Sequence, residues 1–176
     1  MADLTLSGSP QPAVDAKSSP FPYAISIPKL IILSIATFGL FDFYWFYKQF
    51  KSFNVVRNWD INPWWRAFFC GVTAFTLFRE VEHAEKEIDS NKVLHTSVLA
   101  IVFFVIAALY RLPDPYWLLA LLAFVPLMPV QNAINFYWDR TLGDNVVKSK
   151  FGGWNYVVAI VGLVVVAGSV YETFAA

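Results

Sequence analysis

Asp42 is the one acidic residue embedded in the first long apolar stretch of the chain, Leu30-Ile31-Ile32-Leu33 through Gly39-Leu40-Phe41-Asp42-Phe43-Tyr44-Trp45. A carboxylate in hydrocarbon costs about 3 kcal/mol or more unless it faces protein, water or a partner charge, so such a residue reads as a functional site. The plainer alternative is that Asp42, six residues before Lys48 and beside an aromatic helix end, sits at headgroup level with a basic neighbour. A second polar set, Gln131, Asn132, Asn135 and Asp139, recurs at spacings of three and four, which places most of it on one face of a helix. Pro126 and Pro129 lie just ahead of it. Each proline removes a backbone donor and crowds the preceding turn, so a kink is expected there. Carbonyls freed by the prolines, together with amide side chains, could line a watery path for a small cation or polar solute. The alternative is hydrogen bonding between helices as this one leaves the membrane.

Glu80, His83 and Glu87 share a face of the charged run Arg79-Glu80-Val81-Glu82-His83-Ala84-Glu85-Lys86-Glu87. Glu-x-x-His is half of a carboxylate-bridged di-metal motif, but no second pair follows and the other histidine, His95, is twelve residues further on. Glu82 and Lys86 at i, i+4 fit a plain solvated helix, and no metal or other cofactor is expected. The single cysteine, Cys70, excludes an intrachain disulfide and a thiolate metal cage, and reads as core. The chain contains no Gly-rich phosphate loop, no Gly-x-Ser-x-Gly elbow and no His-Glu-x-x-His, so no enzyme activity is expected. The formal net charge of zero suggests neither a nucleic-acid partner nor a polybasic lipid anchor.

The elements that must position these residues are apolar helices. Hydrophobic residues make up 57% of 176 and charged ones 15%, with a mean hydropathy of +0.52, which leaves too little polar surface to solvate so small a globule. Residues 1–24 form a Ser-, Pro- and Ala-rich tail expected to be disordered, and residues 25–176 a membrane domain. No basic n-region precedes an early apolar stretch, so the start of the chain is not read as a signal peptide and is expected to be retained. Five apolar segments follow: Leu30 to Tyr47, Trp64 to Phe78, Leu94 to Tyr110, Tyr116 to Trp138, and Trp154 to Tyr171. A helix needs about 20 residues, or about 17 with adjusted ends, to cross about 30 Å of hydrocarbon. The last three segments meet that length, and Tyr110, Tyr116, Trp117, Tyr137, Trp138, Trp154 and Tyr156 supply the interfacial girdle at their ends. The second has only twelve residues between Arg66 and Arg79, about 18 Å of helix. The sequence therefore predicts an all-α, polytopic membrane helix bundle of three spanning helices. The two short N-terminal segments either span or are re-entrant or interfacial.

If all five segments cross, the basic residues divide between the two sides; if the first two return to the side they left, every Lys and Arg except Arg111 falls on one side. The second arrangement obeys the positive-inside rule far better, and both place the N-terminus in the cytoplasm and the C-terminus outside. A weak internal repeat accompanies it. Phe43-Tyr44-Trp45, Asn54-Val55-Val56-Arg57 and Trp64 are echoed by Phe136-Tyr137-Trp138, Asn145-Val146-Val147-Lys148 and Trp154. The two units run parallel if the early segments are re-entrant and inverted if all five cross.

The stretches Gly39-Leu40-Phe41-Asp42-Phe43-Tyr44-Trp45-Phe46-Tyr47-Lys48, Asn62-Pro63-Trp64-Trp65-Arg66-Ala67-Phe68-Phe69 and Leu77-Phe78-Arg79-Glu80 resemble a class of small, uncharacterised bacterial multi-pass inner-membrane proteins. Arg111-Leu112-Pro113-Asp114-Pro115-Tyr116-Trp117 and Val130-Gln131-Asn132-Ala133-Ile134-Asn135 are similar to it as well. The resemblance covers most of residues 28–172, implies a bacterial inner membrane with a periplasmic C-terminus, and carries over no functional residue. The expected function is non-enzymatic: a component embedded in the lipid bilayer that acts by self-association or as an accessory subunit of another membrane protein. A small channel or transporter, built on Asp42 and the amide stripe, is the second expectation, and lipid binding or bilayer shaping by the two short segments is the third.

Overall fold

The computed structural model describes residues 23–89, 91, 93–113, 116–142 and 152–175, and all its regular elements among them are helical. The expected tail, residues 1–22, and the echo at Asn145 to Lys148 lie outside the described residues. Ala24 and Ile25 are already buried, so the packed body begins before the boundary expected at residue 25.

The first apolar segment is two helices, α1 (Ile27–Ala36) and α2 (Leu40–Val56). Pro28 sits in the first turn of α1, where its missing N–H costs nothing. Gly39 N bonds Ser34 O at 2.9 Å and Phe38 N bonds Ile35 O at 3.2 Å, the paired bonds of a Schellman helix end. Phe38 (φ 51°) and Gly39 (φ 82°) are both left-handed, which reverses the chain. Thr37 joins the two ends: its Oγ1 donates to Leu33 O at 2.7 Å and accepts from Phe41 N at 2.8 Å. On the return, Asp42 lies beside Ser34 and Gln49 beside Tyr23, so α1 and α2 form an antiparallel hairpin.

The second segment is also broken, into α3 (Pro63–Phe68) and α4 (Cys70–Ile88). Asn62 caps α3 by accepting from Trp64 N at 3.0 Å, and Pro63 opens it. At Phe69 the chain turns a sharp corner. Thr73 Oγ1 reaches Arg66 O at 2.5 Å, whereas residues seven apart on a straight helix lie about 10.5 Å apart along the axis. The segment starts and finishes at the C-terminal end of α2. There Asn54 exchanges hydrogen bonds with Ile61 N and O, and Arg57 pairs with Glu87 at 2.9 Å and Glu80 at 3.9 Å. The charged run Arg79–Glu87 is helical, as its Glu82–Lys86 spacing suggested, and continues α4.

Two helices are long and apolar enough to cross a membrane: Tyr116–Thr141, of 26 residues, and Gly153–Thr173, of 21. The third segment expected to reach that length gives the shorter apolar helix Thr96–Arg111. It comprises α5 (Thr96–Ala108) and a 3-10 turn, Leu109–Arg111, and stops where Leu112 is held extended ahead of Pro113. The Tyr116–Thr141 helix changes type along its length. Tyr116–Ala123 is 3-10, and α6 (Phe124–Leu142) is α-helical. Pro126 lies in the first turn of α6, where a donor is dispensable, and Pro129 lies inside it, so the irregularity takes the form of a 3-10 entry just before the prolines.

Helix α7 (Gly153–Ala175) runs parallel to α1. With its amide oxygen turned inward, Asn155 accepts from Lys29 Nζ at 3.2 Å, and seven residues later in both helices Gly162 meets Ala36. A Cβ on Gly162 would lie 1.9 Å from Ala36 O, so only glycine allows this approach. The α1 helix therefore ends beside the middle of α7, which continues for thirteen residues, about 20 Å.

The core is aromatic. Phe46 of α2 lies 6.1 Å from Phe78 of α4 and 5.1 Å from Phe103 of α5, ring centre to ring centre, and all three are buried. Outward faces are apolar too: Val98, Ile101 and Val105 on α5, and Ile160, Val161 and Val164 on α7, are all exposed. Among the described residues, the ends near Tyr23, Arg57, Glu82 and Asn155 gather on one side, with Lys29, Lys48, Arg57 and Lys86. The α1–α2 turn, the Phe69 corner and Leu109–Arg111 gather on the other.

Candidate functional site

The α1–α2 turn and the Phe69 corner meet at a chamber of about 1120 Å³. Its floor is Phe38, Gly39 and Asp42 from the first hairpin, with Phe68 and Cys70 from the second corner. Its walls are the far ends of α5 and of the 3-10 stretch, where Ala107 and Trp117 stand, and Val165 and Ser169 of α7. Small residues keep it open, because Ala107, Ala120 and Ala123 line it where longer side chains would fill it. Aromatic pairs frame it: Phe38 and Trp117 lie 6.0 Å apart, and Phe43 and Trp64 meet edge to face at 5.1 Å.

Among the described residues, Asp42 supplies the only carboxylate of that lining, and no Lys or Arg lines it. The residue is 4% exposed and stands in the first turn of α2, where the helix dipole favours a negative charge. Ser34 Oγ donates to its Oδ1 at 2.5 Å. Among the described residues no basic side chain pairs with it. Lys48, the neighbour weighed from the sequence, lies instead against the rings of Tyr23 and Tyr44, at 5.8 and 5.5 Å.

The amide residues do something different. Gln131, fully buried on α6, accepts at Oε1 from Trp45 Nε1 at 2.5 Å and from Gln49 Nε2 at 3.2 Å, and donates from Nε2 to Asn135 Oδ1 at 2.8 Å. Asn135 Nδ2 donates to Ile25 O at 2.9 Å, and Gln49 Nε2 also reaches Tyr23 O at 3.2 Å. The set ties α2, α6 and the segment leading into α1 together at the end away from the chamber. Asn132 and Asp139 are exposed on other faces of α6. The structure thus places Asp42 in one site, Gln131 and Asn135 in another, and the remaining two polar residues in neither.

Of the half-motif on α4, Glu80 and Glu87 flank the Arg57 guanidinium and His83 is exposed. At the same end, Glu82 accepts from Lys86 Nζ at 2.5 Å and from Thr96 Oγ1, which holds its carboxyl below the ordinary carboxylate value. These bonds fasten the start of α5 to the end of α4.

Sequence reasoning missed Ser34, Phe38, Trp64 and Trp117 as neighbours of Asp42. A signal for the turn was present, since Thr37-Phe38-Gly39 places a glycine within an apolar run, the mark of a helix end. The convergence of five separate segments on one chamber has no local signature. Comparison of the chain with family models, curated proteins and solved structures finds no match to any of them.

Proposed function

We propose that the chain is a multi-pass protein of the bacterial inner membrane that receives an apolar ligand in the chamber above its two N-terminal hairpins and performs no chemistry on it. The observation that carries this reading is the chamber itself, about 1120 Å³ of largely apolar space with one carboxylate. Few convergent polar groups in an apolar, aromatic concavity are the ordinary features of a ligand site. Association with itself or with another membrane protein stands as a second reading, supported by the apolar outer face of α7 at Ile160, Val161 and Val164.

In this reading α5, the Tyr116–Thr141 helix and α7 cross the bilayer, while α1–α2 and α3–α4 enter and return from the cytoplasmic side. That topology puts Lys29, Lys48, Arg57 and Lys86 toward the cytoplasm and leaves Arg111 on the far side, in line with the positive-inside rule. The N-terminus is then cytoplasmic and the C-terminus periplasmic. Val55→Cys in a Cys70→Ser background labels from the cytoplasmic face and Leu112→Cys from the periplasmic face. Labelling of Val55→Cys from the periplasm refutes the re-entrant hairpins. For the chamber, the uncharged dye N-phenyl-1-naphthylamine should bind nanodisc-embedded protein saturably, with energy transfer from Trp64 and Trp117. Ala107→Trp, which narrows the chamber, should weaken that binding. Uptake no greater than that of empty nanodiscs refutes the ligand site.

A further inference from the structure

We infer that the chamber selects lipophilic cations, meaning an apolar or aromatic body carrying one delocalised or substituted onium charge. This inference rests on the chamber reading and names its ligand class. Three observations carry it together. Among the described residues, Asp42 is the only carboxylate of the lining, and no basic side chain lines the chamber or pairs with it. Its one side-chain partner among the described residues is neutral, the Ser34 hydroxyl on Oδ1, so Oδ2 takes no hydrogen bond from them. The wall around it is a set of aromatic faces and edges, with Trp64 against Phe43 and Trp117 against Phe38.

A buried carboxylate without a basic partner among the described residues is complementary to a positive charge and repels an anion entering the same space. Aromatic faces add to that preference, because their quadrupoles attract cations most strongly where water is excluded. A hydrated metal ion or a sugar finds too few polar atoms here to replace its water. A purely apolar molecule fills the space but leaves Asp42 unmatched. The size of the chamber suits a bulky ion, since about 300 to 1,000 Å³ already accommodates drug-sized ligands. Its position beside Val165 and Ser169, beyond the level at which α1 ends, places it in the half of the protein opposite the basic end.

Tetraphenylphosphonium and tetraphenylborate test this directly, for they share size and shape and differ in the sign of the charge. Binding of each is measured by quenching of tryptophan emission in non-ionic detergent, for the wild-type protein and for Asp42→Asn. Taking the ratio between the two proteins for each ion cancels the difference in how the ions partition. The expected result is that Asp42→Asn weakens the phosphonium by about tenfold or more and does not weaken the borate. The wild-type protein provides a reading that needs no folded variant. Cys70 lines the chamber and is the single cysteine of the chain, so the phosphonium slows its labelling by N-ethylmaleimide while the borate does not. If both ions bind saturably and respond equally to Asp42→Asn, or protect Cys70 equally, the charge selectivity is refuted and the apolar chamber stands. If neither ion nor the uncharged dye binds saturably, the chamber reading falls with it.

Discussion

Gly162→Ala is the smallest change that tests how α7 is held against the first hairpin. The new methyl would lie 1.9 Å from Ala36 O and 2.6 Å from Ala36 C. An ordinary C···O contact is about 3.3 Å, so the two helices must separate by roughly 1.4 Å at this point. Both sides of the contact are helical backbone, and no rotamer change relieves it. Overpacking of this kind costs about 1–3 kcal/mol, and parting the helices also loosens the neighbouring contacts of α1 with α7. A control lies six residues along the same helix. A Cβ on Gly168 meets nothing within 4 Å, so Gly168→Ala should be neutral or gain up to about 1 kcal/mol from helix propensity. Thermal unfolding in detergent, followed by tryptophan emission, should show Gly162→Ala lowered by about 2–12 °C and Gly168→Ala not lowered, at about 2–4 °C per kcal/mol for a chain of this size. Because Val165 and Ser169 form a wall of the chamber, the same displacement should also weaken phosphonium binding. If the two alanine variants unfold together, the close approach of α1 and α7 is not part of the folded protein.

Gln131→Leu removes the acceptor of Trp45 Nε1 and the donor to Asn135 Oδ1 from a buried site, so it should cost about 3 kcal/mol in denaturant unfolding. Asn132→Ala, at the next and exposed position, should stay within about 0.5 kcal/mol, and equal losses from the two would refute the network. Glu82 gives a pH test with a definite sign. Its carboxyl is held below the ordinary value of 4.5 by Lys86 and Thr96, so it stabilises the fold above that pH, and the contribution disappears as pH falls through the lowered value. Wild type should therefore exceed Glu82→Gln in stability at neutral pH by less than about 1 kcal/mol, with the gap closing on acidification below the ordinary value, and a gap that widens on acidification refutes the pairing.

What the residues disclosed and what they hid divide along physical lines. The helical, apolar character of the chain is additive over windows of sequence, so composition and segment length were enough to see it. The two early segments, which the placement of Lys and Arg left as either spanning or re-entrant, are each broken, at Phe38-Gly39 and at Phe69. The length of the third segment misled because apolar residues beyond Ala108 fall in a 3-10 turn and an extended residue before Pro113. The polar face drawn through Gln131, Asn132, Asn135 and Asp139 treated spacing alone as proximity. Of these, i and i+4 at Gln131 and Asn135 do meet, but only packing decides that α2 and Ile25 cover that pair and leave Asn132 outside. Asp42 was visible as an oddity. Its surroundings were not, because Ser34, Trp64, Trp117 and Ser169 reach it through four different turns of the chain.

The turn at Phe38 shows why the oddity lies where it does. A Schellman end places its left-handed residue at position 38, where glycine would be free of strain and a phenylalanine costs about 1–2 kcal/mol. The glycine stands one residue later, so it cannot relieve that cost. What the phenylalanine gains is a ring 6.0 Å from Trp117 across the mouth of the chamber. Phe38→Gly therefore separates folding from binding: the backbone term and the lost ring contact nearly cancel in stability, while the aromatic rim beside Asp42 is opened. A strained residue retained for stability alone would have to offset its own cost within the hairpin. Phe38 directs its ring out of the hairpin and into the space that Asp42 faces, which ties the strain to the chamber.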